Sequence, residues 1–346
     1  MESRVPSVFI IVLNWNGLSD TKECLYSIAR SSYPNYTSIV VDNGSTDGTV
    51  PALKSAFPDL VVIENDANLG FTGGNNIGIR YALDKGADYV WLLNNDTVIE
   101  PDTIAKLVAK GESAPDMGLV SPVIHWYHDP ESIQFYLSYV DWRTYNIVNF
   151  QKEDHDRYAD RARDYSLWGT ALFVRRHVLE SLGLLDERFF AYAEDAEYCM
   201  RVSKAGFRID VEPTARIFHK NSRSTGSNTA PLQVYLRIRN QYLLWNAYLE
   251  GWNRVSYMRK YLGDAMSVAG TMFKTGQTTA LDRCLDGIWC AFKGVTGPYD
   301  GQVRMPAALK KIWMIFLRFH PYFWSHLIQG NYRRIFGDIR VRFQNR

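Results

Sequence analysis

Along the first hundred residues, continuous apolar runs of strand length alternate with stretches whose apolar positions recur every three or four residues. SVFIIVLNW (7–15) is dense in β-branched residues and predicts a buried strand. LSDTKECLYSIARSS (18–32) sets Leu25 and Ile28 on one side, with Ser19 or Asp20 as cap, and predicts a helix. SIVVD predicts a second strand ending in the turn NGSTDGT, and LVVIEND a third. NNIGIRYALDKG predicts a helix ending at Gly86, YVWLL a fourth strand, and PDTIAKLVAKG another helix. Strands alternating with helices predict parallel strands joined by crossovers, an α/β sheet.

Farther on the rhythm changes. From 121 to 165 the pattern is irregular and rich in Trp, Tyr and His. SLWGTALFVRR then predicts a strand and RHVLESLG a helix, and FFAYAEDAEYCMRVSKAG predicts a helix opened by acids and closed at Gly206. Beyond Pro231 helical, basic and aromatic segments dominate, which sets a boundary near 230, between residues 1–230 and 231–346.

Composition sharpens this division. Hydrophobic residues make up 46% of the chain and charged residues 22%, a balance that excludes global disorder. The net charge of +2 conceals an asymmetry: Leu232–Arg346 carries 17 Lys and Arg against 6 Asp and Glu, and the residues before it 22 against 31. A basic, aromatic-rich tail behind an acidic body points to an anionic surface as partner. Cys24, Cys199, Cys284 and Cys290 form neither a CxxC pair nor a dense framework, so reduced thiols and a cytoplasmic setting are expected. VFIIVL is too short for a secretory signal, and no run of 18 apolar residues occurs, so no spanning helix is expected.

Parallel α/β sheets bind ligands beyond the carboxyl ends of their strands. Polar clusters follow four successive predicted strands: Asn14–Asn16, Asp42–Asp47, Asn65–Asn68 and Asn94–Asp96. Four in a row favour a shared crevice over independent solvent turns. In VVDNGSTDGT (40–49), Gly44 and Gly48 permit a tight turn that Ser45, Thr46 and Thr49 can cap. Asp42 at the strand tip can accept from the imide of a uracil- or thymine-like base or from a ribose; an Asx-turn accounts for it equally well. In NLGFTGGNNIG (68–78), Gly70, Gly73 and Gly74 let backbone amides approach an anion at a helix beginning near Asn75. Neither a GxGxxG fingerprint nor a GxxxxGK[ST] loop occurs, which disfavours a nucleotide-dependent oxidoreductase.

IVLNWNG, VVDNGSTDGT, NLGFTGGNN, LLNNDT, WGTALFVRR, AEDAEYCMR and FHKNSRST occur in the order seen in family 2 glycosyltransferases. Over about residues 6–245 the chain resembles the branch of that family that includes bacterial rhamnosyltransferases for surface polysaccharides. The resemblance implies a GT-A fold, a Rossmann-like, mostly parallel sheet flanked by helices, here followed by a mainly helical carboxy-terminal region. It implies a nucleotide-diphosphate sugar donor, dTDP- or UDP-linked, a divalent metal (Mn2+ or Mg2+) and inversion at the anomeric carbon. The nucleotide sugar would then occupy about residues 1–120 and the acceptor side about 121–230.

Carried onto this sequence, LLNNDT stands where the family has its DxD motif. That makes Asp96 a metal ligand, with the neutral Asn94 where the first Asp often stands. FHKNSRST sets His219 where the family closes the metal shell, and Lys220, Arg223 and Ser224 within reach of the diphosphate. Asp195 matches the catalytic base, which takes the acceptor hydroxyl's proton as the diphosphate leaves. Glu194 and Glu197 read as acceptor ligands or base orienters, while acids in a first helical turn also serve as a dipole-favoured cap. Trp168, Gly169 and Thr170 would lie against the sugar, though Trp168 suits a core equally. Donor contacts are expected from Asn14, Asn16, Asp42, Asn43, Ser45, Asp47, Asn68, Gly70, Gly73, Asn75, Asn76, Asn94 and Asn95.

The transferred group is expected to be a hexose or deoxyhexose, rhamnose among them, and the acceptor a glycan or polyprenyl-linked glycan. A non-catalytic nucleotide-sugar or glycan-binding protein is the rival, and Asn94 is the feature that favours it. IRNQYLLWNAYLEGWNRVSYMRKYLG and KKIWMIFLRFHPYFWSHLIQGNYRRIFGDIRVRF mix cations with rings, as helices lying in a lipid interface do. A tail on the cytoplasmic face of a membrane would suit a polyprenyl acceptor. A helical subdomain or a homodimer contact accounts for the same composition, and no nucleic-acid partner is expected.

Overall fold

A computed structural model describes residues 4–154, 164–221 and 230–318, and the chain divides into two compact units, Met1–Ser224 and Thr225–Arg346. In the first unit the four oily runs form β1 (Val8–Asn14), β2 (Tyr36–Asp42), β3 (Val61–Glu64) and β4 (Tyr89–Asn94). They lie parallel in the order β3-β2-β1-β4, and α1 (Leu18–Ile28), α2 (Thr49–Ala56) and α3 (Gly70–Asp84) fall between them in sequence. Successive residues of β1 face opposite ways. Val8, Ile10 and Val12 pack with Leu25, Ile28 and Leu53, whereas Phe9 and Ile11 pack with Ile79 and Ala82. A strand covered on both faces has to be apolar throughout, which is why the run is continuous rather than alternating.

Past β4 the sheet becomes mixed. After β5 (Thr97–Ile99) and α4 (Thr103–Glu112), the irregular region 121–165 proves to be largely strand. It holds most of β6 (Met117–Trp126), together with β7 (Asp129–Phe135), β8 (Leu137–Asp141), β9 (Asn146–Phe150) and the start of β10 (Tyr165–Ser166). β8, β9 and β10 form a small separate sheet whose Tyr139, Phe150 and Tyr165 are buried. β11 (Ala171–Arg175), α5 (Arg176–Leu182), α6 (Glu194–Lys204) and β12 (Arg208–His219) follow. From β4 the main sheet runs β11-β6-β12-β5, with β7 beside β6. β12 escaped the sequence reading because its register on β6 shifts between Glu212 and Arg216, which breaks the period-2 alternation.

α3 begins at Gly70, five residues before the expected start near Asn75. The glycines of its first turns therefore sit against protein rather than forming an open anion loop. A Cβ on Gly70 would lie 2.2 Å from the Phe190 carbonyl oxygen, one on Gly74 2.4 Å from Leu13 Cδ1, and one on Gly78 2.6 Å from Ile11 Cγ2. These are contacts only a bare Cα allows, and they bring α3 down onto β1 and the Phe190 segment.

The second unit comprises α7 (Pro231–Tyr248), α8 (Gly251–Lys274), α9 (Thr278–Phe292) and α10 (Ala307–Arg318). Three of the rings that suggested a lipid interface, Trp245, Tyr257 and Tyr261, are buried, as are Tyr235 and Arg239. Arg239 donates from Nε to Asn240 Oδ1 (2.9 Å) and from Nη1 to Gly297 O (2.5 Å). Trp252, Val255, Ile312, Ile315 and Phe316 remain exposed. Residues 319–346, most of the second basic stretch, lie outside the described residues. Among the described residues no helix is long and apolar enough to cross a membrane, and all four cysteines are free and buried.

The Gly78 contact sets a test. Gly78→Val drives a branched side chain into buried Ile11, so stability should fall by roughly 1–3 kcal/mol, more than the gain in helix propensity. A lower urea midpoint at unchanged slope would be the signature, and a midpoint at or above the wild type would mean that helix and strand separate freely.

Candidate active site

The parallel register brings Asn14, Asp42 and Asn94 to one edge of the sheet. Buried Asn14 donates from Nδ2 to Asp42 Oδ1 (2.7 Å) and Ser45 Oγ (3.1 Å). Its Oδ1 accepts from Thr21 Oγ1 (2.7 Å) and Asn95 Nδ2 (3.4 Å). Both donors and both lone pairs of the amide are occupied, so Asn14 ties the strand ends together instead of meeting a ligand. Asn43 is used in the same way. Its Nδ2 donates to Asn68 Oδ1 and Gly70 O (3.0 Å each), and its Oδ1 accepts from Asn65 Nδ2 and the Leu69 N–H (3.1 Å each).

Other donor-side candidates are also engaged by protein partners. Asn76 donates to Leu185 O and Glu187 Oε1 (2.9 Å each) and accepts from the Leu185 N–H (3.1 Å), while Asn75 donates to Phe71 O within its own helix (2.8 Å). Asn16, at φ 50°, holds the Thr46 N–H on its Oδ1 (2.9 Å), and Asp47 Oδ1 accepts from the Thr49 N–H (3.1 Å). Asp42 has the capped-turn geometry: Oδ1 accepts from Asn14 and Ser45 Oγ (2.6 Å), and Oδ2 from the Ser45 N–H (2.8 Å). Exposed at this edge are Trp15 (39%), Leu69, Asn16, Thr46 and Asp47, and the half-buried Asn94 amide has no side-chain hydrogen bond among the described residues. Trp15 was missed in the sequence. Its signal was an indole inside a polar cluster directly beyond a buried strand.

Asp96 lies between β4 and β5. β5 runs antiparallel to the end of β12 with Thr97 opposite His219, and the Lys220 N–H donates to Asp96 O (3.0 Å). This draws Asp96 Oδ1 to 3.2 Å from His219 Nε2, with both residues 6% exposed. His219 Nδ1 is 2.7 Å from Gln134 Oε1. A carboxylate oxygen and an imidazole nitrogen are suitable donors for Mn2+ or Mg2+. Two neighbouring ligands of an octahedral ion, each at about 2.1 Å, stand about 3 Å apart, so the pair fits. Among the described residues no cluster of three His, Cys, Asp or Glu side chains surrounds a common point, so other positions would fall to donor oxygens and water. Lys220 does not point to a diphosphate: its Nζ is held by Asp20 (2.7 Å) and Glu23 (2.5 Å) on α1. Arg223 and Ser224 lie outside the described residues.

Asp195 stands in the first turn of α6, preceded by Tyr192 and Ala193 at φ 71° and 74°. Two successive non-glycine residues in the left-handed region store strain of roughly 1–3 kcal/mol each. The Phe189 carbonyl accepts from Thr72 Oγ1 on α3, and Asn76 grips Leu185 and Glu187, so the approach to α6 is fixed from one side. Asp195 Oδ2 accepts the Gly169 N–H (2.9 Å) and Oδ1 the Ala196 N–H (2.7 Å). The next carbonyl, Thr170 O, accepts the Asn94 N–H (2.9 Å). The Asp195 side-chain bond to the Gly169 N–H and the Asn94–Thr170 backbone bond thus place Asp195 near the end of β4, which Asp96 follows. Burial pushes the Asp195 carboxyl above its usual range, with the Gly169 and Ala196 amides opposing the shift.

Its neighbours divide. Glu194 is 5% exposed, its Oε2 has no hydrogen-bond partner among the described residues, and burial together with the Asp195 charge pushes its carboxyl well above the ordinary range. Glu197 is not an acceptor ligand. It pairs with Arg201 (2.7 and 3.1 Å), whose other N–H groups hold Leu182 O and Leu184 O. Trp168 stacks on Phe135 with ring centroids 4.4 Å apart, so its ring is a packing element.

Residues 7–182 match the sequence model of Glycosyl transferase family 2, over half of the chain. The chain is a family 2 glycosyltransferase. The transferase is 27% identical over 270 residues to the low-salt glycan biosynthesis hexosyltransferase Agl10 of Haloferax volcanii, covering 74% of this chain and 81% of that one. It is 28% identical over 229 residues to the N-acetylglucosaminyl-diphospho-decaprenol L-rhamnosyltransferase of Mycobacterium tuberculosis, covering 60% and 73%. Its fold matches the mannosyltransferase PcManGT of Pyrobaculum calidifontis, solved with GDP-Man and Mn2+, at TM-score 0.54 and 19% identity over 95% of this chain and 85% of that one. The mixed sheet with flanking helices is the GT-A fold, and the enzyme belongs to the hexosyltransferases.

Because the folded transferase raises the Glu194 carboxyl above its ordinary value of 4.5, the folded state holds a proton that the unfolded chain releases. That residue therefore costs stability increasingly as pH rises from about 4.5 toward its folded value. Glu194→Gln should gain on the wild type over that window in denaturation curves. A variant that loses ground as pH rises would assign Glu194 a charged, paired state.

Proposed function

We propose that this transferase is a metal-dependent, inverting enzyme that moves a hexose or deoxyhexose, rhamnose among them, from a dTDP- or UDP-sugar to a hydroxyl of a polyprenyl-linked glycan. The reading is supported by the Asp96–His219 pair just past β4, together with Asp195 on the Gly169 N–H, one residue from the Thr170 carbonyl that accepts the Asn94 N–H. Asp195 takes the acceptor hydroxyl's proton while that oxygen forms its bond to the anomeric carbon and the bond to the diphosphate breaks on the opposite face. A single carboxylate suffices, because the leaving group needs no protonation by a second one. Burial raises the proton affinity of Asp195, and the Gly169 and Ala196 N–H groups fix its two oxygens. A divalent cation held by Asp96 and His219 would neutralise the charge that gathers on the departing nucleotide diphosphate. The outward face of Trp15 offers the base a stacking surface.

A polyprenyl-linked acceptor is supported by the name of the mycobacterial relative. Peripheral membrane contact is supported by Trp252, 86% exposed, and by Ile312, Ile315 and Phe316 on α10 beside exposed Lys311 and Arg318.

Asp195→Asn should lower transfer by roughly 10²- to 10⁴-fold while calorimetric donor affinity stays at the wild-type value. With Asp195 as base, activity in the wild type should be lost as pH falls through a value above the ordinary 3.8 of an aspartate. Donor affinity lost together with turnover would assign Asp195 to donor binding instead. Asp96→Ala should abolish the tightening of donor binding by Mn2+, which EDTA should also remove in the wild type; tightening that survives the substitution would take Asp96 out of the metal site.

A further inference from the structure

β7 runs antiparallel to β6 with Ile124 opposite Phe135 and His125 opposite Ile133. One step along β6 is matched by two along β7, which leaves Gln134 as the extra residue of a β-bulge. Bulges re-aim side chains that regular alternation would direct elsewhere, and they gather near active sites. Here the re-aimed amide is the partner of His219, with Oε1 2.7 Å from Nδ1. His219 itself arrives from β12, a strand on the far side of β6, so the hydrogen bond spans the sheet at its functional edge.

We infer that Gln134 is a positioning residue for the metal ligand His219, which rests on the metal reading of Asp96 and His219 above. A neutral imidazole carries one N–H. With that proton on Nδ1 and accepted by Gln134 Oε1, the lone pair of Nε2 is directed at the Asp96 side, 3.2 Å from Oδ1. A lone pair and a carboxylate oxygen that close repel unless a cation lies between them, so this tautomer holds the pair ready for a divalent ion. The reverse amide orientation, with Gln134 donating to Nδ1, moves the proton to Nε2, where it bonds to Asp96 and closes the pair. Partners on the outer nitrogen of a ligating histidine set both its tautomer and its basicity. A neutral amide does this without adding charge beside Asp96. Gln134 stood in no candidate motif, because only the bulge gives it this direction.

The test is Mn2+ binding to the full chain, followed by the free-Mn2+ paramagnetic resonance signal with dTDP and with UDP present. Gln134→Leu, which removes the acceptor, should weaken Mn2+ binding by about 10- to 100-fold. Gln134→Glu, which can only accept when ionised, should bind Mn2+ as tightly as the wild type or more so. Melting temperatures in EDTA should stay close to the wild type in both variants, since the role is exerted through the metal. Wild-type affinity in the Leu variant would overturn the inference. So would an equal loss in the Glu variant, because Gln134 would then be acting as a donor. A wild type that binds no Mn2+ with either nucleotide would instead overturn the metal reading, and the inference with it.

Discussion

The antiparallel pairing of β5 with the end of β12 sets Thr97 opposite His219, and the rest of the site depends on it. β5 is only three residues long, yet it turns the chain directly after Asp96 and locks that turn to a strand from the other half of the catalytic unit. The Lys220 N–H bond to the Asp96 carbonyl and the Lys220 ammonium bonds to Asp20 and Glu23 brace the same junction from opposite sides. Without this pairing Asp96 would be a polar turn residue and His219 a strand end. With it, two buried side chains share one point in space.

At the remaining strand ends amides do much of the holding, together with Asp42. Asn14, Asn43 and Asn76 each offer donors and acceptors on one short side chain, so each satisfies several neighbours, the buried Asp42 carboxylate among them. Glu197 makes the contrast. It is paired with Arg201 and belongs to the scaffold, whereas among the described residues Asp195 is hydrogen-bonded by the backbone N–H groups of Gly169 and Ala196. The strained entry through Tyr192 and Ala193 is tolerated because α3 grips the preceding segment at Leu185, Glu187 and Phe189.

Much of the fold was legible in the order of residues. A strand buried on two faces must be apolar throughout, so SVFIIVL announces β1 without its neighbours, and the alternation with helical segments announces the parallel part of the sheet. That Asp96 follows a strand and that Asp195 stands in the first turn of a helix was legible too. Illegible were the features set by contact between distant segments: the helical start at Gly70, the bulged β12, the burial of rings in α7 and α8, and the inward turn of Asn14, Asn43 and Asn76.

Amide-rich clusters at four strand ends read identically whether they grip a ligand or one another, since the hydrogen-bonding capacity of asparagine is the same in both. The order of residues by itself determined the four parallel strands β1–β4, where they end, and which acid follows the last of them, because periodicity and turn chemistry are local. Which polar groups face outward was decided only by the tertiary structure. Register, bulges and crossovers choose each side chain's partners across the sheet, and a bulge at Gln134 can redirect one residue without leaving any mark on its neighbours' periodicity.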